Sequence, residues 1–100
     1  MRGTTQQVLH APAATHLAVD SVKGILFVAE DFKIVRYFFS IDLGDDRMSP
    51  KVDFKAAFPM LVFTSAREIK AIAVDADQSV LYVAAGSELS ILEYSEEKVD

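Results

Sequence analysis

The strongest constraint on this chain is that it writes one phrase twice. Residues 18–30 read AVDSVKGILFVAE and residues 73–85 read AVDADQSVLYVAA, at a fixed offset of 55. Setting 16–42 over 71–97 needs no gap. Identities fall at Ala18/Ala73, Val19/Val74, Asp20/Asp75, Leu26/Leu81, Val28/Val83, Ala29/Ala84 and Ser40/Ser95. Leu17/Ile72, Ile25/Val80, Phe27/Tyr82, Ile34/Leu89 and Phe39/Tyr94 are conservative pairs. A repeat of this length points to two similar supersecondary units that stack because neither buries its apolar surface alone.

Each copy carries the local signals of strands. LAVD and IAVD are short and aliphatic, GILFVA and SVLYVA are rich in β-branched and aromatic residues, and KIVRYFF and ELSILEY follow after a few polar or small residues. The intervening DSVKG, DADQS and AAGSE supply the Asp, Ser and Gly of tight turns. Each copy therefore predicts three antiparallel strands in a meander. Ile25-Leu26-Phe27-Val28-Ala29 puts apolar side chains on both faces of its strand, so both faces need cover. A sheet packed between two similar sheets, as in a β-propeller blade, meets that need.

A fourth strand per unit is expected in PKVDFKAAFPMLVF, near 51–57, where Pro59 suits only an edge position. The next innermost strand is expected near Ile69–Val74. By the same logic QQVLH, residues 6–10, precedes the first LAVD. The expected fold is all-β: two four-stranded antiparallel meander blades of a propeller, with repeats at about 16–42 and 71–97 in a single unit over 1–100. An α+β alternative, with a helix near 51–72 and the two meanders in one sheet, stays open.

Composition narrows the function classes. One hundred residues suit one core, and at this size roughly two-thirds of the unfolded chain's surface can be buried. With 51% hydrophobic and 25% charged residues the chain should fold. A net charge of −5 opposes attraction to phosphate backbones and anionic lipid, so no nucleic-acid or membrane partner is expected. The absence of cysteine removes disulfides, thiolate metal sites and cysteine nucleophiles. The opening MRGTTQQVLHAPAA lacks the apolar run of a secretory signal, and stretches such as FPMLVF are far shorter than the roughly 20 residues that cross a bilayer. The expectation is a soluble chain.

HLAVDSVKGILFVAEDFKIVRYF and AIAVDADQSVLYVAAGSELSILEY resemble the blade repeats of the NHL, YWTD and gluconolactonase-like propellers. The resemblance covers about half of the chain. It departs from those families in having neither the Tyr-Trp-Thr-Asp tetrad nor an Asn-His-Leu signature. It implies structural roles for Asp20 and Asp75, bonding backbone amides of the turn or a neighbouring blade. It also implies a ring of six or seven blades where this chain offers two. A protein partner or further copies would then complete the propeller.

The chemical candidates are weaker than their structural readings. His10 and His16 lie six residues apart and would need a third metal ligand. Asp42, Asp45, Asp46 and Arg47 in SIDLGDDRMSP fit no EF-hand register, and a solvated turn is the plainer account. Asp20 and Asp75 are metal candidates only if their carboxylates converge at a channel; turn stabilisation is the stronger expectation. Tyr37-Phe38-Phe39 alternate faces in a strand, which favours packing over base stacking, and the same holds for Phe54, Phe58 and Phe63. No nucleophile elbow, Walker A loop, zincin motif or dinucleotide fingerprint occurs. The expected function is a non-enzymatic interaction or scaffolding module with no cofactor and no catalytic or metal residues. The alternative is part of a metal-dependent gluconolactonase-like hydrolase.

Overall fold

Runs of Val, Ile, Leu and aromatic residues cut at short intervals by Asp, Gly and Ser can hydrogen-bond their backbones economically only as antiparallel hairpins. The computed structural model, which describes residues 13–42, 51–54 and 59–95, has that form. Strands β1 (His16–Asp20), β2 (Ile25–Glu30) and β3 (Lys33–Asp42) make one meander. Strands β4 (Lys51–Phe54) and β5 (Met60–Thr64) follow, and β6 (Ile69–Asp75), β7 (Val80–Ala85) and β8 (Glu88–Glu93) make a second meander.

The first sheet runs β1-β2-β3, and β4 and β5 share the outer edge of β3. β5 takes its first half, from Lys33 to Arg36, and β4 takes Phe39 to Asp42. The ten residues of β3 are long enough to hold two short partners end to end. The outer strand anticipated near 51–57 is thus realised at 51–54 and joined by a second one at 60–64, immediately after Pro59. The second sheet, β6-β7-β8, has three strands among the described residues. The segment 6–10, expected to be a further outer strand, lies outside them.

The α+β alternative is overturned. No helix occurs among the described residues, and 51–72 contributes β4, β5 and the start of β6. MLVFT supplies an apolar edge strand, and Pro59 stands just ahead of it, where its missing N–H costs no ladder bond.

Register sorts the side chains. Opposite Phe27 stand Ala18 and Arg36, and opposite Leu26 stand Val19 and Tyr37. One face of the first sheet therefore carries Ile25, Phe27, Ala29 and Ile34, which form a single core with Ile69, Leu81, Val83 and Ala85 of the second sheet. The far face carries Val28, Val35 and Tyr37, a smaller buried cluster with Leu26 against it. Across the core, β1 lies alongside β6.

The offset of 55 now has a geometric meaning. Ile25, Phe27, Ala29 and Ile34 correspond to Val80, Tyr82, Ala84 and Leu89, and these share the face of the second sheet that points away from the core. Leu81 and Val83, which point into the core, correspond to Leu26 and Val28 on the far face of the first sheet. The two sheets stack in the same sense, like successive slices. They do not meet as mirror images.

Candidate functional site

The most polar part of the stack is the end of β1. Asp20 is the last residue of that strand, and its side chain is fully buried. Oδ1 accepts hydrogen bonds from the backbone amides of Val22 (2.9 Å) and Lys23 (3.0 Å), which closes the β1–β2 turn. Oδ2 accepts the hydroxyl of Tyr94 at 2.6 Å, a donor from just beyond β8 in the other sheet. The Lys23 ammonium stands 3.9 Å away. A buried carboxylate is tolerable only when its lone pairs are filled in this way.

Burial alone would push the Asp20 carboxyl up. The Tyr94 hydroxyl, the Lys23 amide and charge, and the Val22 amide outweigh burial and hold it below the usual carboxylate range. The phenol responds in the opposite direction. Burial, the Asp20 carboxylate that accepts its hydrogen bond, and the charges of Asp20 and Asp75 raise Tyr94 well above an ordinary tyrosine. Its ring stands edge-on to Phe27, with centroids 4.9 Å apart and planes at 66°. Asp20, Phe27 and Tyr94 together make a seam that fixes how the second sheet seats on the first.

Arg36 lies beside this seam, 1% exposed, with Nη1 donating to the Ser95 carbonyl at 3.0 Å and the guanidinium 4.8 Å from the Phe38 ring centroid. An open groove of about 970 Å³ runs past it, walled by Val62, Tyr82, Ile91, Leu92 and Tyr94. Sequence reasoning took Arg36 only as the neighbour of an aromatic run. The signal available was its place, because a cation at the centre of a buried strand must have partners inside the fold.

The other candidates sort as follows. Tyr37 and Phe39 are buried and Phe38 lies under Arg36, so the aromatic run packs inside the fold. Phe63 packs against the main core. His16 Nδ1 is 3.0 Å from the Thr15 hydroxyl, while His10, Asp45, Asp46, Arg47 and Phe58 lie outside the described residues. Asp42 closes β3 opposite Lys51, and Phe54 pairs with Phe39. Asp75 ends β6 as Asp20 ends β1, yet it is half-buried, and no described residue donates a hydrogen bond to its carboxylate. No group of three or more metal-ligating side chains comes together among the described residues.

Beyond the seam, the outer side of the second sheet buries Val80 but stands open along β8. Leu89 is 66% exposed where its counterpart Ile34 is fully buried, and Ile91 is 60% exposed where Arg36 is 1%. Ala71 and Ala73 are exposed on the same side, and Tyr82 is half-buried. No protein-family model, curated protein or solved structure matches the chain.

Proposed function

We propose that the chain is a non-enzymatic interaction module of propeller type, which works by presenting the outer face of its second sheet to another protein sheet. One observation carries the reading: at four positions that face repeats the face of the first sheet that is already covered. Ile25, Phe27, Ala29 and Ile34 are buried by a stacked sheet, and Val80, Tyr82, Ala84 and Leu89 offer the same pattern with Leu89 left in water. Exposed apolar side chains grouped on a rigid sheet favour contact with a partner over contact with water. The Asp20 carboxylate, already accepting two amides and a hydroxyl, acts as a structural anchor in this reading.

Two measurements test it together. A natively folded chain should bind an apolar fluorescent dye, and Leu89→Lys with Ile91→Lys should weaken that binding more than Leu17→Lys with Val19→Lys does, while leaving the melting temperature within a few degrees, because both side chains face outward. Sedimentation at micromolar concentration then reports whether copies occupy the face or it awaits a different protein. A particle of 11.0 kDa that binds no dye would overturn the proposal.

A further inference from the structure

Resting on that reading, we propose that the sheet received by this face is not supplied by a second copy of the chain, and that it carries a strand-end tyrosine whose hydroxyl docks on Asp75. In the existing seam, Tyr94 meets the first sheet through two groups, the Asp20 carboxylate and the edge-on Phe27 ring. Both groups recur one repeat later. Asp75 replaces Asp20, Tyr82 replaces Phe27, and the two stand on the outer side of the second sheet in the same register, since Asp20 pairs with Ile25 as Asp75 pairs with Val80. The docking surface for a tyrosine is thus built twice and filled once.

The unfilled state shows in Asp75 itself. Asp20 takes the amides of Val22 and Lys23, whereas the corresponding amides of Asp77 and Gln78 make no such bond to Asp75. Its carboxylate retains its full accepting capacity among the described residues. A hydroxyl brought there by an apolar sheet would be desolvated and held by a charge-assisted bond.

One observation excludes a second copy as the natural occupant. A copy stacking in the same sense would bring the far face of its first sheet, where Phe39 stands at the position of Tyr94. Phenylalanine has no hydroxyl to donate. That far face keeps apolar surface in water as well, with Leu17 63% and Val19 53% exposed beside the buried Val28, Val35 and Tyr37, so the missing hydroxyl is what sets a copy apart. The rest of the outer face adds a further requirement. Ile91 stands where Arg36 reaches a carbonyl, so the incoming sheet meets aliphatic surface there and needs apolar side chains opposite it.

The probe is the chain with residues 98–100 replaced by a duplicate of its own residues 43–95, which preserves the 55-residue period and brings a second Tyr94 to Asp75. The added sheet is expected to fold, to suppress dye binding at Leu89 and Ile91, and to raise the melting temperature. Asp75→Asn, or Tyr94→Phe in the added copy only, should each lower that temperature by about 2–6 °C. The two changes together should cost no more than either alone. Asp75→Asn in the 100-residue chain should shift it far less. If the added sheet docks but neither change matters, the tyrosine contact is wrong while the interaction face stands. If it stays disordered and dye still binds, both fail. If the unextended chain self-associates and Leu89→Lys abolishes the association, the occupant is a copy and this inference is overturned.

Discussion

At the scale of single residues, Asp20 and Tyr94 hold opposite ends of one hydrogen bond, and their proton affinities move apart. The folded chain binds a proton at Asp20 less tightly than the unfolded chain does, since its carboxyl is held low. The stability this contributes is complete above the unfolded carboxyl's pKa of about 4 and is lost as pH falls through the folded value. Tyr94 is raised, so its contribution is complete below the unfolded phenol's pKa of about 10 and is lost as pH rises beyond it. Melting temperature should therefore be level from about pH 5 to pH 9 and fall on both sides. Tyr94→Phe should cost about 1.5–3 kcal/mol at neutral pH and remove much of the alkaline decline, which thermal melts across pH will read directly. Asp20 could be singled out from the sequence because it recurs in the repeat and precedes turn residues. Its bond to Tyr94 could not, because a contact spanning 74 positions depends on how two sheets seat, and no local pattern encodes that.

At the scale of elements, the repeat extends to backbone conformation. Gly24 and Ser79, which correspond across the offset, have φ of 73° and 57°. Asp31 and Gly86 also correspond, with φ of 57° and 61°. Each hairpin thus needs one left-handed residue at a fixed place, and each copy uses glycine at only one of its two. At the first turn the chain closes on itself twice over: Gly24 donates to the Asp20 carbonyl at 2.9 Å and its own carbonyl accepts from Phe39. A Cβ at Gly24 would fall on the Phe39 carbonyl oxygen, a backbone atom that cannot yield, whereas one at Gly86 would meet the flexible Arg67 side chain. Gly24→Ala should cost about 2 kcal/mol or more and Gly86→Ala about 1–2 kcal/mol, the left-handed penalty alone. Ser79→Gly should gain about 0.5–1 kcal/mol by relieving that penalty. Denaturant midpoints of the three variants rank them. The six meander strands were legible because alternating turn residues and β-branched runs are local signals. The division of the outer edge between β4 and β5 was not, because it is set by the ten-residue length of β3, and FPMLVF read by itself is merely apolar.

At the scale of the whole molecule, the two sheets share one core and should rise or fall together. Ile25, Phe27 and Ile34 form one buried cluster with Leu81, Val83 and Ile69 of the other sheet. Neither three-stranded meander has a second buried face of comparable size within the described residues: the far cluster of the first sheet contains three buried side chains beside the exposed Leu17 and Val19, and the outer side of the second holds Leu89 and Ile91 in water. A sheet of three strands is stable only with an apolar face covered, so separating the sheets removes the support of both. Leu81→Ala should then destabilise by about 2–5 kcal/mol and, more tellingly, accelerate amide exchange in β1–β3 by the same factor as in β6–β8. Independent domains would confine the acceleration to β6–β8. The same-sense stacking explains why such a core can be shared without symmetry: each sheet presents a different face to its neighbour, so a stack of two always ends in two unlike surfaces. Here the far face of the first sheet leaves Leu17 and Val19 in water beside a buried Tyr37, and the outer face of the second leaves Leu89 and Ile91, so the two ends of the stack call for sheets of different pattern.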